Sequence, residues 1–507
     1  MRDPIQLFYF SPMGVIRRQS LKHVFVSLVG MVIGAFSTFL IYPHVREGYG
    51  LVQIMIQIGL LGLPLMSLGA NTVAIRFFPK FQDKSLGHNG FLPVLLSLCI
   101  LGFSLTGILA YVFWEPYMEQ VAARAPLIRE YLWMAFPMAF FYVVSTILFA
   151  YAANFKRIVV PSILLDFSQK LVLPILMVAL WQGWIPLKLA LWGMVIHSCC
   201  VTIGMILYLR WLGEWHWKPN FKFLTPALQK EMAAYIGFWT LGGFALLLAT
   251  KSDIFMVGSM SATKAAGTFA IVATLAALIE LPIKSLYSAS VSSVARHLAD
   301  HNYAELGKLY KSVSINLLVA GLLLFCGLWI NIESLFHFFP ASEVTEMSAA
   351  VWVFFFIGLA KLAEMSTGLN NYMIYYSPHY LYSLISLVLS AALTIVLNIT
   401  LIPIYGITGA AISILCSVCF YNSFGVWFVW YKFGLFPFSK NTILAIGMAV
   451  LSFALARLIP FCNFDLLDIL IRGGAFALLF AFLVIYFNVS PDLTELWLLV
   501  RQKLKRR

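Results

Sequence analysis

Eight charged side chains fall inside apolar runs long enough to cross a bilayer: the cations Lys170, Lys251, Lys284 and Lys361 and the carboxylates Asp166, Asp253, Glu280 and Glu364. Charge at membrane depth is costly, so such groups turn toward a bundle interior or a water-filled cavity. The lysines are candidate cavity cations, and the carboxylates are candidate sites for a coupling proton or sodium ion, which biases two cavity states only if it binds them with different affinity. Spacing leaves a second reading open. Asp166 with Lys170 and Glu280 with Lys284 stand four residues apart, and Lys361 with Glu364 three apart, so each pair can neutralise itself on one helix face. Lys251 and Asp253, two residues apart, point to different faces and need partners elsewhere. Lys361, near the middle of its run, is the foremost cation. His197 reads as a buried residue with a satisfied ring rather than a proton relay.

The elements that carry these groups follow from composition. With 61% hydrophobic and 11% charged residues over 507 positions, against roughly 25% charged in a soluble domain, the chain cannot make a water-soluble surface. It reads as an all-α polytopic membrane protein. Runs of about 20 apolar residues, the length that spans the bilayer core, give fourteen candidate helices: 20–42, 50–74, 91–114, 130–152, 158–181, 186–210, 235–258, 266–290, 312–333, 348–373, 379–402, 406–431, 441–461 and 467–488. The polar N-terminal segment lacks a small-residue cleavage site, so the first span is expected to stay. Pro64, Pro161, Pro174 and Pro282 lie inside spans, where they kink the helix for packing or for hinging.

Of the 34 Lys and Arg residues, 23 fall in alternate loops and termini, including Arg76, Lys80 and Lys84, and seven, including Arg46, on the other side. Cytoplasmic loops concentrate positive charge, so both termini are expected in the cytoplasm. The formal charge of +13 is accounted for by those loops and does not imply nucleic acid. The halves echo each other: Gly50 with Gly267, Arg76 with Arg296, and Gly183 with Gly406, at offsets of 217, 220 and 223 residues. Six spans per repeat make this a parallel duplication about an axis along the membrane normal. The expected domains are an N-terminal lobe (1–211), a cytoplasmic linker (212–234), a C-terminal lobe (235–431), and two extra helices with a basic tail (432–507). The linker's Trp, Phe and Lys, and the tail LTELWLLVRQKLKRR, suit the membrane surface.

Four motifs carry a resemblance: REGYGLVQ from Arg46, LGANTVAIRFFPKF from Leu68, KSDIFMVGSMSATKAAGTFAI from Lys251, and GLNNYMIYYSPHYLYSLIS from Gly368. The last leads into the hairpin NITLIPIYGITGAAIS, in which Pro403 ends a helix, Gly406 and Gly409 permit a turn, and small residues let the next helix pack closely. Over roughly 20–431 the chain resembles bacterial lipid-linked polysaccharide (O-antigen, Wzx-type) flippases of the multidrug/oligosaccharidyl-lipid/polysaccharide exporter superfamily. The resemblance implies two six-helix lobes and a bacterial inner-membrane location. It also implies alternating-access transfer of a polyprenyl-pyrophosphate-linked glycan for lipopolysaccharide or other surface polysaccharide. Membrane lipids, H⁺ or Na⁺, and polysaccharide assembly proteins would be the partners. Fixed lysine charge would replace the water stripped from the pyrophosphate.

Three other readings stand beside it. Peptidoglycan-precursor flippases share the architecture but are rich in cavity arginines in their first two spans, and the spans 20–42 and 50–74 contain no arginine. A drug/cation antiporter would need acidic groups to dominate the cavity. A non-transporting assembly scaffold would need no cavity cations. Nothing in the sequence points to an enzyme or a cofactor: no phosphate-cradling loop, metal-ligand cluster or nucleophile elbow is recognisable. The seven cysteines sit in apolar runs, and Cys416 with Cys419 reads as helix packing.

Overall fold

The structure is a computed structural model that describes residues 26, 29–121, 124–155, 157–337, 344–461 and 464–495, apart from the side chains of 221, 284, 285, 288, 289, 292 and 344–349. Thirteen helices among the described residues are long and apolar enough to cross a membrane, and a shorter apolar helix precedes them. In chain order they are α1 Val29–Leu40, α2 Tyr42–Ser67, α3 His88–Val121, α4 Pro126–Ala153, α5 Val159–Trp181, α6 Leu187–Trp211 and α7 Pro226–Met260. There follow α8 Thr263–Ile283, α9 Tyr303–Ile330, α10 Ala350–Thr367, α11 Tyr380–Tyr405, α12 Ile407–Phe433, α13 Lys440–Arg457 and α14 Asp465–Tyr486. The chain is thus an all-α, multi-pass membrane protein, and each expected span has its helix. The start of the first span, and the tail from 496 on, lie outside the described residues.

Chain contacts divide the protein into two compact units, Met1–Gly267 and Thr268–Arg507. In the first, α2 packs on α3, α4 and α7, and α6 packs on α4 and α5. In the second, α12 packs on α10 and α11, and α9 packs on α10 and α13. Small residues set the closest crossings. A Cβ on Gly50 would lie 2.6 Å from the backbone nitrogen of Gly267, and one on Gly267 would collide with the carbonyl oxygen of Arg46. Only glycine lets these backbones meet.

Local chemistry explains where helices start and stop. Thr225 accepts from the Leu228 N–H and Pro226 occupies the first turn, so α7 begins at Pro226, inside the segment expected as a linker. α12 ends where Gly434 takes a left-handed conformation at φ 67°. The hairpin differs in detail from the sequence reading. Pro403 lies inside α11, which runs on to Tyr405, and the whole turn is Gly406 at φ 57°. A proline near a helix C-terminus removes one hydrogen bond without ending the helix when the turn follows at once.

A larger difference concerns Arg46. Expected in a loop, it opens the long helical part of α2 and is 3% exposed. The second span therefore carries near its start a buried arginine, which is not among the residues that line the cavity described below.

Candidate functional site

The first unit encloses a cavity of about 500 Å³ among its own helices, within the range of small-molecule sites. One wall is apolar, formed by Met55, Ile56, Gly59 and Leu60 of α2 with Met138 and Ala139 of α4. The other is polar. Tyr142 and Ser145 come from α4, Asp166, Gln169 and Lys170 from α5, His197 and Ser198 from α6, and Lys251 from α7. α2, α4, α5 and α6 each contribute residues three and four apart, the spacing of one helical face, and α7 contributes Lys251 alone.

Asp166 sits in a π-helical turn, Ile163–Phe167, that follows Pro161. The turn ends at Phe167, and Asp166 and Lys170 both face the cavity. Asp166 accepts from Ser162 Oγ at 3.3 Å. Lys170 lays its stem along α1, its Cδ 3.0 Å from where a Cβ on Gly30 would stand. With Lys251 also in the lining, the cavity presents two ammonium groups against one carboxylate.

His197 Nε2 lies 2.8 Å from Ser168 Oγ, which already donates its proton to the Leu164 carbonyl. The imidazole must then donate through Nε2, which fixes its tautomer. His197 is thus hydrogen-bonded as expected, yet it also lines the cavity. Ser145 and Thr202 hydroxyls meet at 2.9 Å and tie α4 to α6 behind the polar wall.

The other candidates fall elsewhere. Asp253 is buried at 5% on α7 and lies outside the cavity lining. In the second unit Lys361 of α10 pairs with Glu280, carried by the 3-10 turn Leu278–Glu280. Lys361 thus reaches across to another element as well as standing three residues before Glu364 on its own helix. Glu364 is part of the same acidic and aromatic neighbourhood, where Tyr287 donates to the Gly368 carbonyl at 2.8 Å. The Lys284 side chain lies outside the described residues. The structure therefore brings Lys170, Lys251 and Asp166 to one cavity and Lys361 and Glu280 to one ion pair.

That ion pair makes a prediction. Lys361 and Glu280 are 23% and 30% exposed, so removing one partner should cost about 2 kcal/mol, less than the roughly 3–5 kcal/mol of a fully buried pair. Lys361→Met is expected to lower the melting temperature in detergent, and Lys361→Met with Glu280→Gln to recover most of the loss. A double variant as unstable as the sum of the singles would contradict the pairing.

Sequence reasoning left out Tyr142, Ser145, Gln169 and Ser198. A signal for two of them exists: Gln169 falls between Asp166 and Lys170 on one face, and Ser198 stands four residues after Met194 and three before Val201.

No protein-family model matches the chain, and no curated protein matches it. Among solved structures it is similar to the lipid II flippase MurJ in an inward closed conformation, with TM-score 0.72 and 13% identity over 93% of this chain and 99% of that one. It is also similar to an inward-facing multidrug resistance MATE family transporter of the MOP superfamily, with TM-score 0.61 and 13% identity over 81% and 94%. A Vibrio cholerae MATE transporter follows at TM-score 0.51 and 12% identity, over 83% and 97%. At such identities the likeness is one of architecture, and the chain has the polytopic all-α fold of that flippase and of MOP-superfamily transporters.

Proposed function

We propose that this protein is a transporter that flips a polyprenyl-pyrophosphate-linked oligosaccharide across the bacterial inner membrane for surface polysaccharide synthesis, by alternating access. The observation that carries the reading is the cavity in which Lys170 and Lys251 outnumber Asp166 among membrane helices. Two phosphates cannot shed their hydration into hydrocarbon, and fixed ammonium groups with hydroxyl, amide and phenol donors replace the lost water. The polar wall and the apolar wall suit a molecule that is glycan at one end and lipid at the other. Lys361 and Lys284 are proposed to serve the same cargo in the second unit. Asp166, Asp253, Glu280 and Glu364 are proposed as the carboxylates among which a coupling H⁺ or Na⁺ is held.

A second reading, transfer of a peptidoglycan precursor, is favoured by the similarity to a lipid II flippase. Reconstitution separates them. Proteoliposomes should expose a labelled polyprenyl-pyrophosphate oligosaccharide to an externally added glycan-modifying enzyme faster than protein-free vesicles do, and faster than they expose lipid II. Faster lipid II exposure would select the second reading, and no exposure of either would overturn both in favour of a scaffold.

A further inference from the structure

A cluster outside the cavity lining remains unused by that reading. His88, Glu214 and His216 bring one donor atom each to within 4.8 Å of one another. His88 is the first residue of α3, and the other two stand in the segment between α6 and α7. His88 is 3% exposed, and its Nε2 lies 2.8 Å from Glu214 Oε2. The remaining ring nitrogen of His88, Nδ1, and Nε2 of His216 are buried without a hydrogen-bond partner. His88 Nδ1 points away from Glu214 and cannot share an ion with it, so the orphan that bears on a shared ion is His216 Nε2; a buried polar atom without a partner costs about 1–3 kcal/mol.

The surroundings hold the three ligands in place. Glu214 is fixed through its backbone, whose N–H bonds to the Leu209 carbonyl at 3.0 Å and whose carbonyl accepts from Tyr151 Oη at 3.2 Å. His216 lies on Gly87, where a Cβ would stand 3.1 Å from its Cγ, and the two imidazoles meet edge to face at 5.6 Å. Phe78 and Phe155 pack on His88 at 5.2 and 5.6 Å. Lys84 approaches Glu214 Oε1 at 3.7 Å from a position 79% exposed, so it guards the rim and does not fill the centre.

We propose that His88, Glu214 and His216 form a binding site for a divalent transition-metal ion of the zinc type, with water in the fourth position. Two imidazoles and one carboxylate are a zinc donor set, and ligands at 2.0–2.2 Å from one ion stand about 3.4 Å apart, between the short His88–Glu214 contact and the 4.8 Å bound. The ion would clamp the start of α3 to the segment entering α7, positions 126 residues apart in sequence. Its role is structural, since a metal that binds the folded chain stabilises it by mass action. The alternative is a metal-free His88–Glu214 pair.

Untagged full-length protein in detergent, stripped with chelator and dialysed, decides between them. Titration with Zn²⁺ should give one ion per chain and a raised melting temperature, and Co²⁺ should give the absorption of a tetrahedral site. His216→Ala leaves the His88–Glu214 pair in place and should weaken Zn²⁺ binding at least tenfold, while the melting temperature of the stripped protein barely changes. Absence of stoichiometric binding in the wild type, or undiminished binding in His216→Ala, overturns the proposal.

Discussion

Replacing Lys170 and Lys251 together by alanine is expected to slow head-group movement by about 10²–10⁴-fold. A hydrogen bond to a charged group contributes about 1.5–3 kcal/mol, and two such bonds are lost. The double Lys→Arg variant should retain most of the activity, since guanidinium also binds phosphate. Both lysines line the cavity without belonging to the hydrophobic core, so the alanine variant should still fold, as its melting temperature in detergent would report. A scaffold that does not transport would be indifferent to both changes. A drug antiporter would be expected to gain from losing two cations that repel its cargo. Asp166→Asn adds a contrast: it leaves the ammonium groups in place, and should abolish the response to an imposed ion gradient while cargo binding persists.

The second large effect concerns glycine rather than charge. Gly267→Leu is expected to abolish the folded protein, because the new side chain would stand where the Arg46 carbonyl is, and backbone cannot rotate aside. Gly267→Ala already introduces the colliding atom and should lower both the melting temperature and the yield of monodisperse protein on size exclusion. Gly447, in α13, has open space where a Cβ would stand. Gly447→Ala should therefore be neutral or stabilise by roughly 0.5–1 kcal/mol, as expected when glycine leaves a helix interior. Equal behaviour of the two alanine variants would contradict the close approach of Gly267 to Arg46 and Gly50.

The contrast between Gly267 and Gly447 shows how far the sequence can be read. Span number and class were legible because a membrane helix must satisfy its own backbone and present apolar residues for about 20 positions. Gly50 and Gly267 were recognisable as counterparts in a repeat, but nothing in their spacing says that their backbones touch. The charged residues were legible as functional candidates, and their partners were not. The i,i+4 rule considers one helix alone, whereas Glu280 pairs with Lys361 of α10, and Asp166 accepts from Ser162. Lys361 finds Glu280 only through tertiary folding, which no local pattern encodes. The His88, Glu214 and His216 group escaped for the same reason: 126 residues separate its first two members.

The most direct measurement is substrate protection of a cysteine placed in the polar wall. In a background where the seven native cysteines are replaced, Ser198→Cys should react with a membrane-impermeant thiol reagent in proteoliposomes. Polyprenyl-pyrophosphate-linked oligosaccharide should slow that reaction at least tenfold, whereas uncharged polyprenol should not. Labelling at the same rate with and without the pyrophosphate-linked glycan, in protein that still moves it, would mean that the head group crosses by another route.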